Sequence, residues 1–321
     1  TSGGSGDLEA ADFALSISGG TATLNSATPT SITKASQTVW VLGFDTTGTA
    51  SGSETLTVVP LSSSSIYDLA GNPGSSSQSI NTVRLNDYSA QSAIPNNASF
   101  NTAITSCLSE QSVTGRCTAY ALSSGYGIMS NWDTSNVTDM TDAFKNTAFN
   151  GDISNWNTSS VTTMREMFSE ATSFNQNIND WNVSHVTDMH GMFEGATSLT
   201  SVSLPATGAV TTMVDMFNGA TSITSVSLPD TGAVTTMVDM FNGASSLTSV
   251  SLPDTGAVTN MIYMFYGATS LTSVSIPNTG AVTDMEGMFG RATSLTSVSI
   301  PNTRAVTNMS YMFYGATSIT S

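Results

Sequence analysis

The chain has 321 residues, of which 39% are apolar, enough for a substantial core and more in keeping with two domains than one. Charged residues make up only 9% against an ordinary share of about a quarter. Seven basic against 23 acidic side chains leave a net charge of −16, which repels phosphate backbones and anionic membranes and so excludes nucleic acid as a partner. Ser, Thr, Asn and Gly fill the remaining surface, giving a neutral, hydroxyl-rich exterior. No apolar run is long enough to span a bilayer. Because the sequence starts at Thr1 with neither an initiator Met nor a signal peptide, it reads as a mature or trimmed fragment.

Residues 1–87 read as a first domain. Phe13-Ala-Leu-Ser-Ile, Thr38-Val-Trp-Val-Leu-Gly-Phe44 and Glu54-Thr-Leu-Thr-Val-Val59 alternate apolar and polar residues between Gly, Ser, Thr and Pro clusters. This is the pattern of an antiparallel β-sandwich. Trp40, Leu42 and Phe44 share one strand face and form its predicted core. The stretch Leu61 to Asn72, ending Ile66-Tyr-Asp-Leu-Ala-Gly-Asn72, resembles the bacterial Ig-like domains of surface-layer and adhesin proteins, which implies an Ig-like sandwich. Asp68 and Asn72 offer oxygens of the kind calcium takes, but with no third carboxylate nearby an Asx-type turn is the expectation.

Residues 88–131 read as a joint. Asp87 to Asn97 resembles a linker, and Phe100 to Leu108 predicts a short helix with Ile104 and Leu108 on one side. Cys107 and Cys117, the only two cysteines, are read as a disulfide suited to an oxidising compartment, with two free thiols as the alternative. A disulfide-tied helix is a suitable cover for the exposed core of a first repeat, so this region is assigned as an N-terminal cap.

Residues 132–321 are repetitive. From Val186 to Ser321 a 24-residue phrase returns with Phe217, Phe241, Phe265, Phe289 and Phe313 in one slot; Phe144, Phe168 and Phe193 extend the array to eight copies. Such a period marks a solenoid. Leu199-x-x-Val202-x-Leu204 reads as a strand with three inward apolar residues. Met213, Met216, Phe217 and Ala220 recur at i, i+3, i+4 and i+7, which predicts a short helix. Thr212 with Asp215, Thr163 with Glu166 and Thr283 with Glu286 look like helix caps. Each coil is thus expected to run strand, turn, helix, turn and to share one core with its neighbours. The methionines, 15 of the chain's 16 in this region, are assigned to that core rather than to copper binding.

Two copies use other words: Phe149-Asn-Gly-Asp-Ile-Ser-Asn-Trp-Asn-Thr-Ser-Ser-Val-Thr-Thr-Met164 and Phe174-Asn-Gln-Asn-Ile-Asn-Asp-Trp-Asn-Val-Ser-His-Val-Thr-Asp-Met189. They resemble the BspA-like leucine-rich-repeat surface proteins, and the later Leu-Thr-Ser-Val-Ser-Leu/Ile-Pro copies look like the other dialect of that superfamily. The resemblance implies an α/β leucine-rich-repeat solenoid, an extracellular or cell-surface location, and binding to other surfaces or matrix components. It implies no catalytic residues and no cofactor.

The outward strand positions are the candidate binding surface. Ser201, Ser203, Ser225, Ser227, Ser249, Ser251, Ser273, Ser275, Ser297 and Ser299 should stack in two rows, flanked by Thr200, Thr224, Thr248, Thr272 and Thr296. Equivalent residues on parallel strands lie roughly 4.8 Å apart. A merely soluble face, docking of a protein or glycan, and ordering of water as in ice-binding solenoids all fit such rows. His185 and His190, with Asp188 between them, are expected to be isolated surface histidines rather than a metal pair. Asn97, Asn136, Asn157, Asn182 and Asn308 sit in N-x-S/T sequons; the first four are candidate glycan acceptors in a eukaryotic secreted protein, and Asn308, in the predicted helix start, is the poorest. The sequence stops at Ile319-Thr-Ser321 as another strand should begin, and head-to-tail packing of copies into a filament is one way to cover that end. With scattered acidic groups and isolated histidines, no convergent set of titratable groups suggests an enzyme.

Overall fold

The computed structural model describes residues 8–34, 40–48, 54–61, 82–84, 92–205, 207–228 and 230–320. The chain divides into two compact units, Thr1–Gln91 and Ser92–Ser321.

In the first unit the strands are antiparallel, as alternation predicts. β1 (Phe13–Ser18) pairs with β6 (Thr55–Pro60), which pairs in turn with β7 (Thr82–Arg84). β2 (Thr23–Leu24) pairs with β5 (Thr46–Thr47), and β3 (Ser31–Lys34) with β4 (Trp40–Gly43). Leu15, Ala22 and Leu56 are buried. Leu42 and Phe44, expected as core, are only half-buried, and Phe44 lies just past the end of β4. Buried Glu54 accepts hydrogen bonds from the Thr21 and Ala22 amides at 2.6 and 3.0 Å, the pairing that makes a buried carboxylate tolerable. Asp68 and Asn72 fall outside the described residues.

The second unit opens with α1 (Asn97–Glu110), capped by the Asn96 side chain, which accepts from the Ser99 amide at 2.9 Å. It is longer than the sequence suggests, and its buried face is Phe100, Ala103, Ile104 and Cys107. Cys107 and Cys117 are joined in a disulfide. A second helix, α2 (Thr118–Ser124), which the sequence reading does not include, follows and ends at Gly125 in the left-handed conformation, φ 75°. α1 joins the core of the repeats directly, with Phe100 edge-on to Trp156 at 5.5 Å.

Eight coils follow, numbered here by their phenylalanines from Phe144 in coil 1 to Phe313 in coil 8. The predicted three-residue strands form in the later coils: β8 (Ser201–Ser203), β9 (Ser225–Ser227) and β10 (Ser249–Ser251) make one parallel sheet, and β11 (Ser273–Ser275) with β12 (Ser297–Ser299) another. Within each sheet the register is in phase, serine opposite serine and valine opposite valine. The first coils, with Ile153 and Trp156 or Ile178 and Trp181 in that place, form turns rather than strands.

The predicted helix does not form. The segment Met213 to Ala220 is a succession of turns, and so is its counterpart in every coil. Two positions per coil, four residues apart, adopt positive φ: Asp215 at 55° and Gly219 at 70°, matched by Asp142 and Asn146, Glu166 and Glu170, Tyr263 and Gly267, and the rest. An α-helix cannot pass through left-handed residues. The amides bond instead to the next coil: Met213, Asp215, Phe217 and Gly219 donate to the carbonyls of Thr236, Val238, Met240 and Asn242 at 2.7–3.3 Å. The expected caps are therefore not caps. Thr163 and Thr212 belong to a column of bridges running unbroken from Asp139 to Asn308, while the amide and hydroxyl of Thr283 both donate to the Thr259 carbonyl.

The interior is as the periodicity requires. Phe144, Phe168, Phe193, Phe217, Phe241, Phe265 and Phe289 are fully buried and stack with Phe313 in one ladder, with centroids 5.4–5.6 Å apart. Met213, Met216 and their equivalents in the inner coils are buried beside it. Burying one such side chain contributes about 1.5–3 kcal/mol. Trp132, Trp156 and Trp181 stack under the first coils, the indoles of Trp156 and Trp181 donating to the carbonyls of Met129 and Ile153. Buried Thr207, Thr231, Thr255 and Thr279 each donate a hydroxyl to a carbonyl one coil on. Coil 8 leaves part of the shared core surface, around Met309, Phe313 and Ile319, open to solvent.

Candidate functional site: the hydroxyl face of the solenoid

The strands place every predicted surface hydroxyl outward. Ser201, Ser203, Ser225, Ser227, Ser249, Ser251, Ser273, Ser275, Ser297 and Ser299 are exposed on either side of an inward valine. Thr200, Thr224, Thr248, Thr272 and Thr296 are exposed beside them. The threonines differ from the serines in what they offer: Thr224, Thr248 and Thr296 donate their hydroxyls at 3.0–3.2 Å to carbonyls of the preceding coil. Their oxygens remain as acceptors and their methyl groups as contact surface. The serine grid is also not continuous, because β10 and β11 are not paired into one sheet.

A second hydroxyl column escapes the strand-based reading. Thr162, Thr187, Thr211, Thr235, Thr259, Thr283 and Thr307 are exposed, and each donates both its amide and its hydroxyl to the carbonyl of the equivalent threonine one coil back. It follows the valine of the Val-Thr pair in each copy, and its invariance across all copies was the available signal.

Beyond that column lies the turn face, where acidic side chains gather in the early coils. Glu166 is paired with Lys145 and with Arg165, the latter at 2.9 Å. The hydrogen bond from Lys145 is the main reason its carboxyl is held below the usual range. Glu194 goes the other way: burial raises it, and the neighbouring Asp215, Glu166 and Glu170 carboxylates raise it further against an opposing pull from His190. Asp239 is raised chiefly by burial.

The two histidines are not brought together as a site. His185 is exposed, its Nδ1 3.0 Å from the Ser159 carbonyl, whereas His190 is half-buried beside Glu166 and Glu194. Among the described residues no group of three or more His, Cys, Asp or Glu is arranged to hold a metal ion. Of the sequons, Asn136, Asn157 and Asn182 are exposed. Asn157 and Asn182 use their side-chain oxygens in turns with Ser159 and Ser184. Asn97 is different, because its amide bonds across to the first coil, to the Thr138 hydroxyl and the Thr138 and Asp139 amides at 2.9–3.2 Å. Asn308 donates to Asp284 and Glu286.

Two overlapping segments, residues 118–228 and 211–321, match the family described as "Mycoplasma protein of unknown function, DUF285". Together they take in more than half of the chain, which therefore belongs to this family, a repeat family of the Mycoplasma and BspA type. A crystal structure of a leucine-rich repeat protein from Eubacterium ventriosum is similar at 25% identity and a TM-score of 0.40, over 51% of this chain and 42% of that one. The chain thus spans less than half the length of that protein. None of the curated proteins compared matches this chain.

Proposed function

We propose that this chain is a non-enzymatic cell-surface protein whose solenoid presents its serine and threonine face to proteins or glycans of another surface or matrix. The observation that carries the reading is the exposed serine rows, in register within the β8–β9–β10 sheet and within the β11–β12 pair, without a charged side chain on the strands themselves. The family membership and the resemblance of the repeats to BspA-like surface proteins support the location; among the described residues no helix is long and apolar enough to cross a membrane. Residues 92–131 close the first coil, and the antiparallel unit before them is read as the Ig-like domain that the Ile66 to Asn72 stretch resembles. The interruption between β10 and β11 and the inward-donated threonine hydroxyls weigh against a water-ordering grid.

The test is an array of immobilised matrix proteins and glycans, probed with the chain and with a variant carrying Ser225→Lys, Ser227→Lys, Ser249→Lys and Ser251→Lys. These side chains are exposed, so the variant should keep its melting temperature while losing at least tenfold in retention. A chain that no protein or glycan retains, or a variant retained equally well, would sink this reading.

A further inference from the structure

The turn face of coils 6 to 8 carries aromatic side chains where earlier coils carry acids and amides. Two outward columns are involved, one running Asp215, Asp239, Tyr263, Gly287, Tyr311 and the other Asn218, Asn242, Tyr266, Gly290, Tyr314. Coil 6 and coil 8 thus each present a tyrosine pair, and coil 7 between them presents two glycines. Within each pair the rings are edge-to-face, with centroids 5.5 Å apart for Tyr263 and Tyr266 and 6.2 Å for Tyr311 and Tyr314.

The glycines are required by the rings. A Cβ on Gly287 would come 2.2 Å from Tyr263 and one on Gly290 2.5 Å from Tyr266, so both rings lie across the bare backbone of coil 7. The result is an open cleft of about 420 Å³ running from Asn242 past Tyr263 and Tyr266 to Tyr311 and Tyr314. From coil 5 to coil 8 is three coil steps, roughly 14 Å. Its walls are partly fixed before any ligand arrives. The Tyr263 hydroxyl donates to Glu286 at 3.0 Å, Glu286 is held in turn by Asn308, and Arg291 lies 5.8 Å from the centre of the Tyr266 ring. Tyr311 and Tyr314 are exposed, so their ring faces are accessible from the cleft.

The chemistry of the cleft selects its ligand. Strand addition is ruled out, because the backbone there is spent: the Gly287 amide donates to the Ser310 carbonyl, the Tyr263 amide to Glu286, and the Gly290 carbonyl accepts from Gly267. Anions are disfavoured by Glu286, by Asp239 close to Tyr263, and by the net charge of −16. The lining holds no aliphatic side chain, only ring faces, phenol hydroxyls and an amide. Ring faces attract polarised C–H groups, and the hydroxyls and amide pair with hydroxyls. We infer that this cleft binds a neutral oligosaccharide, its C–H faces laid on the tyrosines and its hydroxyls toward Asn242 and the phenol oxygens. The cleft is on a different face from the serine rows and goes beyond the role proposed for them.

The experiment compares the chain with two variants, Tyr311→Ala/Tyr314→Ala and the four-lysine serine variant, against immobilised gluco-, manno- and galacto-oligosaccharides and N-acetylglucosamine oligomers, with a proline-rich peptide as an additional probe. Both tyrosines are exposed, so matching melting curves will show that the double variant folds. The expected result is retention on at least one neutral oligosaccharide, weakened at least tenfold by the tyrosine changes and little altered by the lysines. Retention equal in chain and tyrosine variant, or retention of the peptide alone, overturns the inference. Loss with the lysines but not with the tyrosines overturns it too and leaves the serine-face reading standing.

Discussion

At the scale of single residues, the outward columns are where like meets like, since a solenoid sets each side chain beside its own counterpart in the next coil. Serine and threonine tolerate that, and carboxylates do not. Neighbouring columns crowd them as well: Glu194, whose own counterparts are Ser169 and Asn218, sits among Asp215, Glu166 and Glu170, and its carboxyl is raised by burial first and by those charges second. A raised carboxyl pKa in the folded chain stabilises the protonated form. That contribution is whole below the ordinary Glu value of about 4.3 and is lost as the pH climbs through the raised one. At neutral pH the ionised side chain therefore works against the fold. Glu194→Gln should raise the melting temperature at pH 7 and leave it unchanged near pH 3.5, where the native carboxyl is already neutral. Because the side chain is only half-buried, solvent screens most of the effect. A like-charge contact costs about 0.2–0.5 kcal/mol, or about 0.4–2 °C in a domain of this size. Melting curves at the two pH values decide it, and an equal shift at both would refute the electrostatic account.

At the scale of the element, each coil bonds to its neighbours more than to itself, so the first coil has amides with no coil before it. Thr162 and Thr187 give their amides to the Thr138 and Thr162 carbonyls, whereas Thr138 gives its own to the Asn97 side chain at 2.9 Å. One amide side chain on α1 stands in for a missing peptide group. Asn97→Ala should speed hydrogen exchange at Thr138 and Asp139, by about 1 kcal/mol of lost bonding, and Asn97→Asp, which keeps the accepting oxygen, should spare them; no change in the alanine variant would contradict the assignment. Much of the coil was legible in advance: Leu199, Val202 and Leu204 face inward, and Phe217 and Met216 fill the core, because burial imposes its period directly on the sequence. The helix was misread for the same reason. Spacing of i, i+3, i+4 and i+7 reports which side chains share a face, and a chain of turns with left-handed residues at Asp215 and Gly219 satisfies it as well as a helix does. Gly195, Gly219, Gly243, Gly267 and Gly315 marked one of those positions, but Asn146, Glu170 and Arg291 take the same conformation and blur the signal. The serine rows were legible because strands alternate; the threonine column of Thr211 and Thr235 showed in the sequence only as a residue repeated in every copy, and its bonding was not legible, since it depends on coil-to-coil contacts that no local pattern encodes.

At the scale of the molecule, stability in a stack of similar coils is a sum of nearest-neighbour interfaces, so a perturbation at one end should fade along the array. The N-terminal end of the repeats is covered by α1, whose Phe100, Ile104 and Cys107 join the same core as Trp132, Trp156 and Phe144. The Cys107–Cys117 disulfide ties the end of that helix to the start of α2 through a short loop. Closing such a loop is worth about 2–3 kcal/mol. If the cover acts through the first interface, Cys107→Ala/Cys117→Ala should loosen coils 1 and 2 and leave the later ones nearly untouched. Both sulfurs are buried, so the double substitution is a cleaner instrument than a reductant that must first open the structure. Native-state hydrogen exchange reads the outcome coil by coil at equivalent amides, those of Met140, Met164, Met189, Met213, Met237, Met261 and Met285, each donating to the coil that follows it. Protection should fall by one to two decades at Met140, where about 1.4 kcal/mol is a factor of ten, and progressively less toward Met285. A uniform fall along all seven would mean that the array unfolds as one cooperative block. The phenylalanine ladder would then be acting as a single element, and the helix and its disulfide would stabilise the whole stack rather than guard its first coil.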